Sequence, residues 1–207
     1  MEKVLITGGN GTMAKAIKEK LIDWEYKVIA FNKEELDITN ESQVAMQMKI
    51  IHPDILVNCA GYILPKSIKE STYEQWKKHI DVNCNGVFLC SKHAICNGCT
   101  TIINIGSTSA FEGRKNWGAY CASKASTLSI TETLAEEGIL AYSLNPARTN
   151  TKMRDRLFPN EDKNTLMNSK RVAEFVLKIL LGEFVSGSHI ILKKDRYFVL
   201  PSRKCPK

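Results

Sequence analysis

No apolar run in this 207-residue chain approaches the about 18 residues that a membrane-crossing helix needs. The first strand-like run begins at Lys3, leaving no room for a secretory leader, so the expected compartment is the cytoplasm. A disulfide framework is also missing. The seven cysteines (Cys59, Cys84, Cys90, Cys96, Cys99, Cys121 and Cys205) are odd in number and scattered, and read as reduced thiols. Cys96-Asn97-Gly98-Cys99 is a lone C-x-x-C with His93 before it. A tetrahedral zinc needs four ligands, and with no second such pair no metal is expected. Lys and Arg number 29 against 22 Asp and Glu, a formal net charge of +7. That excess favours an anionic ligand, but it is spread along the chain without an aromatic-interleaved cluster. Nucleic acid is therefore not expected, and phosphorylated small molecules fit. Ser202-Arg203-Lys204-Cys205-Pro206-Lys207 supplies three of the positive charges and is expected to be a solvated end.

Internal repeats, low-complexity segments and linkers are absent too, so one domain is expected over residues 1–207. Short apolar, β-branched runs at 4–7, 26–31, 36–38, 54–58, 101–106, 139–144 and 189–192 read as strands. Helical spacing lies between them: after the first run to Ile22, then at 42–51, 72–94, 120–137 and 170–181. The alternation predicts an α/β fold, a doubly wound parallel sheet of seven strands with helices on both faces. Residues 149–168 are polar with little periodicity and are expected to form a mobile substrate loop.

Two motifs carry chemistry. Thr7-Gly8-Gly9-Asn10-Gly11-Thr12-Met13-Ala14 follows the first strand and opens a helix. Gly8 permits the tight turn, Gly11 lets the backbone approach a pyrophosphate at the helix N-terminus, and Ala14 is small enough for helix–strand packing. The loop lacks the Gly-Lys-Ser/Thr of a Walker A. Farther on, Tyr120 and Lys124 stand four apart on one helix face, with Ser107 thirteen residues upstream. An ammonium beside a phenol stabilises the phenolate, so the Tyr120 pKa is expected to fall from about 10 toward neutrality. Such a tyrosine exchanges a proton with a substrate oxygen near neutral pH.

With these residues in place, the chain resembles the short-chain dehydrogenase/reductase family nearly end to end. The glycine loop is similar to that family's T-G-x-x-G-x-x-G/A loop, and Asn58-Cys59-Ala60-Gly61 to its N-x-A-G turn. Asp81-Val82-Asn83 resembles the segment carrying its catalytic asparagine, and Ile103-Asn104-Ile105-Gly106-Ser107 the one carrying its serine. Pro146-Ala147-Arg148-Thr149-Asn150-Thr151-Lys152-Met153 resembles the segment that covers the nicotinamide. The resemblance implies a Rossmann-type domain that reduces a carbonyl to an alcohol by hydride transfer. Ser107 would orient the carbonyl, Tyr120 would donate the proton, Lys124 would lower the Tyr120 pKa and bind the nicotinamide ribose, and Asn83 would hold a proton-relay water. Gly8, Asn10, Gly11, Thr12 and Met13 would cradle the dinucleotide, with Asn58, Ala60 and Gly61 facing them. Asp37 and Ile38 would meet the adenine, and Pro146, Thr149 and Thr151 the nicotinamide.

Two departures stand out: Ala147 replaces the family's glycine, and Gly106 stands where a second serine is common. The compressed stretch 31–39 lacks a full helix and resembles reductases related to dTDP-4-dehydrorhamnose reductase. NAD-specific relatives carry an acid at the end of the second strand; here Asn32 and Lys33 stand there, which favours NADP(H) over NAD(H). Arg114 and Lys115 precede Tyr120, and Arg148, Lys152 and Arg154 flank the other side, so the cleft suits a phosphate.

The segment from Asn145 to Arg154, with Thr165-Leu166 and Val172-Ala173, resembles the reductase part of bacterial enzymes that make CDP-ribitol. The implied substrate is a small sugar or polyol phosphate such as ribulose 5-phosphate. The missing cytidylyltransferase would have to be a separate protein. The alternatives are an unphosphorylated ketone or a nucleotide sugar, or a dinucleotide-binding module without catalysis. Such modules typically lose the tyrosine or lysine that this chain keeps. An epimerase or dehydratase is disfavoured because no second domain follows Leu192. Trp76, Ile80, Phe88, Leu128 and Leu134 exceed what covering one sheet face requires, and the resemblance implies a homodimer or homotetramer through their two helices.

Overall fold

Strand alternation on two buried faces builds the core. The computed structural model describes residues 1–202, so Cys205 and the basic tail lie outside the described residues. Val4 and Ile6 of β1 (Lys3–Thr7) pack on one face of the sheet, and Leu5 on the other. Ile55 and Val57 of β3 (Ile55–Asn58) repeat the split around Leu56. One layer is built on α1 (Thr12–Ile22) and α7 (Ser169–Leu180), which pack together. The other holds α2 (Glu41–Ile51), α4 (Gly86–Ile95) and α5 (Gly118–Glu136). A sheet covered on both faces needs apolar residues at every strand position, which is why these strands read as continuous apolar runs.

The sheet order is β2-β1-β3-β4-β5-β6-β7, with β2 at Lys27–Phe31, β4 at Thr101–Ile105, β5 at Leu140–Pro146 and β6 at His189–Leu192. All pairings are parallel except the last, where β7 (Tyr197–Leu200) returns antiparallel to β6. The sheet has seven strands as expected, but not the expected seven. Residues 36–38 form no strand. Asn32 Oδ1 accepts from the Glu34 and Glu35 N–H groups, Asn32 N–H donates to Glu35 Oε2, and Leu36 N–H donates to Asn32 O. That asparagine turn uses the backbone groups a ladder would need. Leu36 and Ile38 then plug the core as side chains, Ile38 resting against Gly86. The strand that restores the count is β7, a hairpin partner closed by Lys193 N–H to Arg196 O.

The expected helix over 72–94 is continuous but changes pitch. Thr72 and Gln75 form a reciprocal cap on α3 (Tyr73–Ile80), a π-turn occupies Asp81–Asn85, and α4 follows. The wide turn faces Asn83 inward, the usual setting of such bulges. Residues 149–168 hold more regular structure than their lack of periodicity predicts. Thr151 caps α6 (Lys152–Leu157), Thr149 bridges to Met167, and Leu166 and Met167 are buried. Of the five apolar residues assigned to a subunit contact, Leu128 and Leu134 belong to this chain's own core, whereas Phe88 is 53 % exposed. No helix among the described residues is long and apolar enough to cross a membrane.

Candidate functional site

The strand order reverses between β1 and β3, and the crevice beyond their carboxyl ends is where open α/β sheets hold ligands. The two strand ends are tied there, because Thr7 Oγ1 accepts from both the Cys59 and Ala60 N–H groups at 3.1 Å. Gly8, at φ +73°, turns so tightly that an added Cβ would lie 2.8 Å from Ala60 Cα. Gly9, overlooked in the motif reading, is as constrained: its Cβ would meet Ala30 O at 2.6 Å. Gly11 is the N-cap of α1 and no side chain caps it, so the first N–H groups of that helix face the loop uncapped. Asn10 is exposed beside it, and Thr12 and Met13 are half-buried. The loop therefore fits a dinucleotide pyrophosphate by backbone shape.

Asn58 is turned inward instead, donating to Ser91 Oγ and Asn104 Oδ1. Gly61 faces the centre of the site, where an added Cβ would lie 3.4 Å from Asn83 Oδ1 and 3.7 Å from Lys124 Nζ. Asn83 clamps the neighbouring loop, accepting from Tyr62 N–H and donating to Tyr62 O and Ser123 Oγ.

Ser107 stands two residues beyond the end of β4, and Tyr120 sits in the first turn of α5. Both line one cleft, with the Ser107 hydroxyl near enough to the Tyr120 phenol to favour its phenolate. Lys124, one turn on, is only 5 % exposed and donates to Ile105 O at 2.8 Å. Burial drives the lysine down to about 8, with a small opposing push from Cys59. Burial also lifts the Tyr120 phenol above its ordinary range, outweighing the opposing pull of the Ser107 hydroxyl and the Arg114 charge. The expected lowering of the Tyr120 pKa by Lys124 is thus not what the fold sets up. Low-dielectric surroundings disfavour both charged forms, and the ammonium is spent on a carbonyl. Cys59, beside Lys124, is pushed up to about 12 by burial and stays a thiol.

Gly106 has a local cause. Its Cβ would stand 2.1 Å from Asn145 Oδ1, so the asparagine side chain fills the room a serine would take. Asn145 is held by donating to Ser143 O and Ser143 Oγ, and the latter lies 2.8 Å from His189 Nδ1. His189 Nε2 in turn meets Glu132 at 2.9 Å.

The cleft above Ser107 and Tyr120 is walled by Met13, Ile63, Trp117, Met153 and Leu157, with Pro146 and Thr149 at its edge. Arg114, Arg148 and Arg154 line it, as the sequence suggested, but carboxylates the sequence reading passed over attend them. Arg114 pairs with Glu112 and donates to Thr108. Arg154 grips Glu161 with two hydrogen bonds, and Arg148, 56 % exposed on its side chain, shares the same carboxylate at 3.3 Å. Two guanidinium groups over one carboxylate leave one positive charge at the rim.

Thr151 serves as the α6 cap, and Thr149 donates to Ala147 O. At the adenosine end, Asn32 is committed to its turn, Asp37 accepts from Thr39, and Lys33 reaches Asp37 at 3.7 Å. His93, next to the C-x-x-C, is turned to Glu41, and Cys99 donates to Thr101 O. Trp117, the residue that precedes α5, lay outside the helix expected over 120–137 and carried no signal of its place beside Tyr120. Glu161 carries none either.

The chain is similar in sequence and in fold to known proteins. A family profile described as short chain dehydrogenase matches residues 35–162. An uncharacterised oxidoreductase of Staphylococcus saprophyticus is 32 % identical over 165 residues, covering 73 % of this chain and 69 % of the relative. Another, from Staphylococcus aureus (strain N315), is 29 % identical over 191 residues, covering 86 % and 80 %. Among solved structures, the aldohexose dehydrogenase of Thermoplasma acidophilum is 25 % identical with a TM-score of 0.82, covering 92 % of each chain. ElxO with NADP bound shares the fold at 24 % identity and a TM-score of 0.82, covering 94 % of this chain and 97 % of that one. A profile match over more than half the chain, centred on the crevice that holds Ser107, Tyr120 and Lys124, makes this protein a member of the short-chain dehydrogenase/reductase family of oxidoreductase enzymes.

Proposed function

We propose that the protein reduces a small carbonyl compound to an alcohol with a nicotinamide dinucleotide, through Ser107, Tyr120, Lys124 and Asn83. The observation that carries this reading is the meeting of Ser107 and Tyr120 in the lining of one cleft, with Lys124 one helical turn behind. A bound nicotinamide dinucleotide supplies the hydride. Ser107 Oγ–H donates to the carbonyl oxygen and fixes its direction. Tyr120, held protonated by burial, gives its proton to that oxygen as charge develops there. Lys124, mostly protonated below about pH 8, would bind the nicotinamide ribose hydroxyls when the dinucleotide is present. Asn83 holds the loop that faces the lysine and stands where a relay water would reach it.

NADP(H) is the favoured dinucleotide, with NAD(H) second. Lys33 is the cation nearest the end of β2, and two of the solved neighbours, ElxO and a gluconate 5-dehydrogenase of Beutenbergia cavernae, carry NADP. For the substrate, the surplus charge shared by Arg148 and Arg154 supports an anionic group, and a sugar or polyol phosphate such as ribulose 5-phosphate fits it. A second reading, an unphosphorylated ketone, is favoured by the pairing of Arg114 with Glu112 and of Arg154 with Glu161, which consumes most of the charge. Self-association through the exposed α3–α4 face at Trp76 and Phe88 belongs to the same proposal.

The test is NADPH oxidation by purified protein with ribulose 5-phosphate and with an unphosphorylated ketose. Turnover above that of Tyr120→Phe supports the reductase, and the ratio of the two substrates chooses between the readings. No turnover with either, with NADPH still bound, would favour a module without catalysis.

A further inference from the structure

The outer wall of the cleft includes Trp117, backed by a second ring from a different part of the chain. Trp117, at the start of α5, stacks on Phe158, at the end of α6, with centroids 6.2 Å apart and planes 25° apart. The indole also stands edge-on to the Tyr120 ring, at 5.6 Å and 82°. A cation caps each end of the stack: the Arg114 guanidinium lies 6.0 Å from the Trp117 ring and that of Arg154 4.6 Å from Phe158. Neither cation is loose, since Arg114 is held by Glu112 and Thr108, and Arg154 by two bonds to Glu161. The indole therefore has a ring on one face, the catalytic phenol at its edge and an anchored guanidinium beside it. It cannot turn aside without breaking these contacts together.

We propose that Trp117 is the size-determining residue of the active site and Phe158 the positioning residue that holds it. The claim rests on the reductase reading of the Ser107–Tyr120 site. Because Trp117 lines the cleft and touches the ring that protonates the substrate, its position fixes the width of the space above the reacting carbonyl. A fixed indole there restricts turnover to short-chain carbonyl compounds and excludes fused-ring and aryl ketones. Phe158 does not line the cleft; it backs the indole from the α6 side. Removing it bares one face of Trp117, lets the indole swing outward and widens the cleft, while the proton-transfer groups stay in place.

The experiment compares hydroxyacetone with the bicyclic ketone α-tetralone in the wild type, Phe158→Ala and Phe158→Leu, using NADPH. Turnover is followed at 340 nm, and α-tetralone binding to the NADPH-loaded protein by equilibrium dialysis. Expected is a gain of about tenfold or more in α-tetralone binding and kcat/KM for Phe158→Ala, the scale by which one hydrophobic wall discriminates. The gain should be smaller for Phe158→Leu, and hydroxyacetone kcat/KM should stay within about threefold for both, because the acid–base groups are untouched. Phe158→Leu keeps the wall filled should the alanine variant fail to fold. Equal handling of α-tetralone by the wild type and both variants, including no binding to any of them, overturns the proposal. If the dialysis contrast holds but no carbonyl is reduced, the reductase reading falls and the size filter stands.

Discussion

Lys124 Nζ donates to the carbonyl oxygen of Ile105 at 2.8 Å, across the gap between α5 and the end of β4. The lysine thus pins the helix that carries Tyr120 to the strand that carries Ser107 into the site, and it does so from almost complete burial.

Tyr120→Phe should lower carbonyl reduction by about 10²–10⁴-fold, the usual contribution of a positioned general acid. Dinucleotide affinity should change little. Fluorescence titration with NADPH beside steady-state rates checks both, and a rate within twofold of wild type would remove Tyr120 from the proton path.

The pH profile of reduction follows from Lys124. Its depressed value of about 8 means that the ammonium is present below that pH and lost as pH rises through it, while the phenol of Tyr120, raised by burial, keeps its proton over the same range. Reduction should therefore be flat on the neutral side and fall above about pH 8. Lys124→Arg should keep its charge and move that fall upward, at a lower plateau. A profile unchanged by Lys124→Arg would show that another group controls it.

The same burial costs stability. A folded value of about 8 against an ordinary 10.5 means the unfolded chain binds more protons between those values, so stability rises with pH across that window. Below about pH 8 the cost is complete, at about 3 kcal/mol from the size of the shift. Lys124→Met should then be about 2 kcal/mol more stable at pH 7, after about 1 kcal/mol is returned for the Ile105 carbonyl left without its donor. The gain should shrink as pH rises toward 10.5. Urea unfolding at neutral and alkaline pH measures it, and a destabilised variant at pH 7 would contradict the account.

Gly106→Ala should cost about 1–3 kcal/mol, because its methyl would overlap Asn145 Oδ1. Asn145→Ala clears that volume, so the double variant should be less destabilised than the two single losses summed. Thermal unfolding of the four proteins reads the coupling, and strict additivity would deny the clash.

Glu161→Gln should strengthen inhibition by inorganic phosphate several-fold, since it releases two guanidinium groups from the carboxylate that Arg154 holds ionised. Inhibition constants at fixed ionic strength measure the change. No change would leave the arginine rim without an anion-binding role.

The parallel core was legible because a doubly covered sheet forces apolar strands and helical spacing into alternation. Ser107, Tyr120 and Lys124 were legible because their spacing survives any detail of packing. What escaped was set by partners remote in sequence. The Asn32 turn consumed a short apolar run that otherwise looks like a strand. Tyr197-Phe198-Val199-Leu200 had no assignment and became a strand only through its hairpin pairing with β6. The protonation states at Tyr120 and Lys124 depend on burial, which spacing does not encode. Glu112 and Glu161 change the meaning of the rim arginines only once the chain brings them there.

Thr12 Oγ1 accepts from the backbone N–H of Lys152 at 3.2 Å, across a separation of 140 residues. The hydroxyl belongs to the first residue of α1, just after the glycine loop, and the N–H to the helix whose far end carries Phe158. The glycine loop and the helix that backs the cleft wall are therefore tied to each other directly, so a change at Thr12 touches both sides of the crevice.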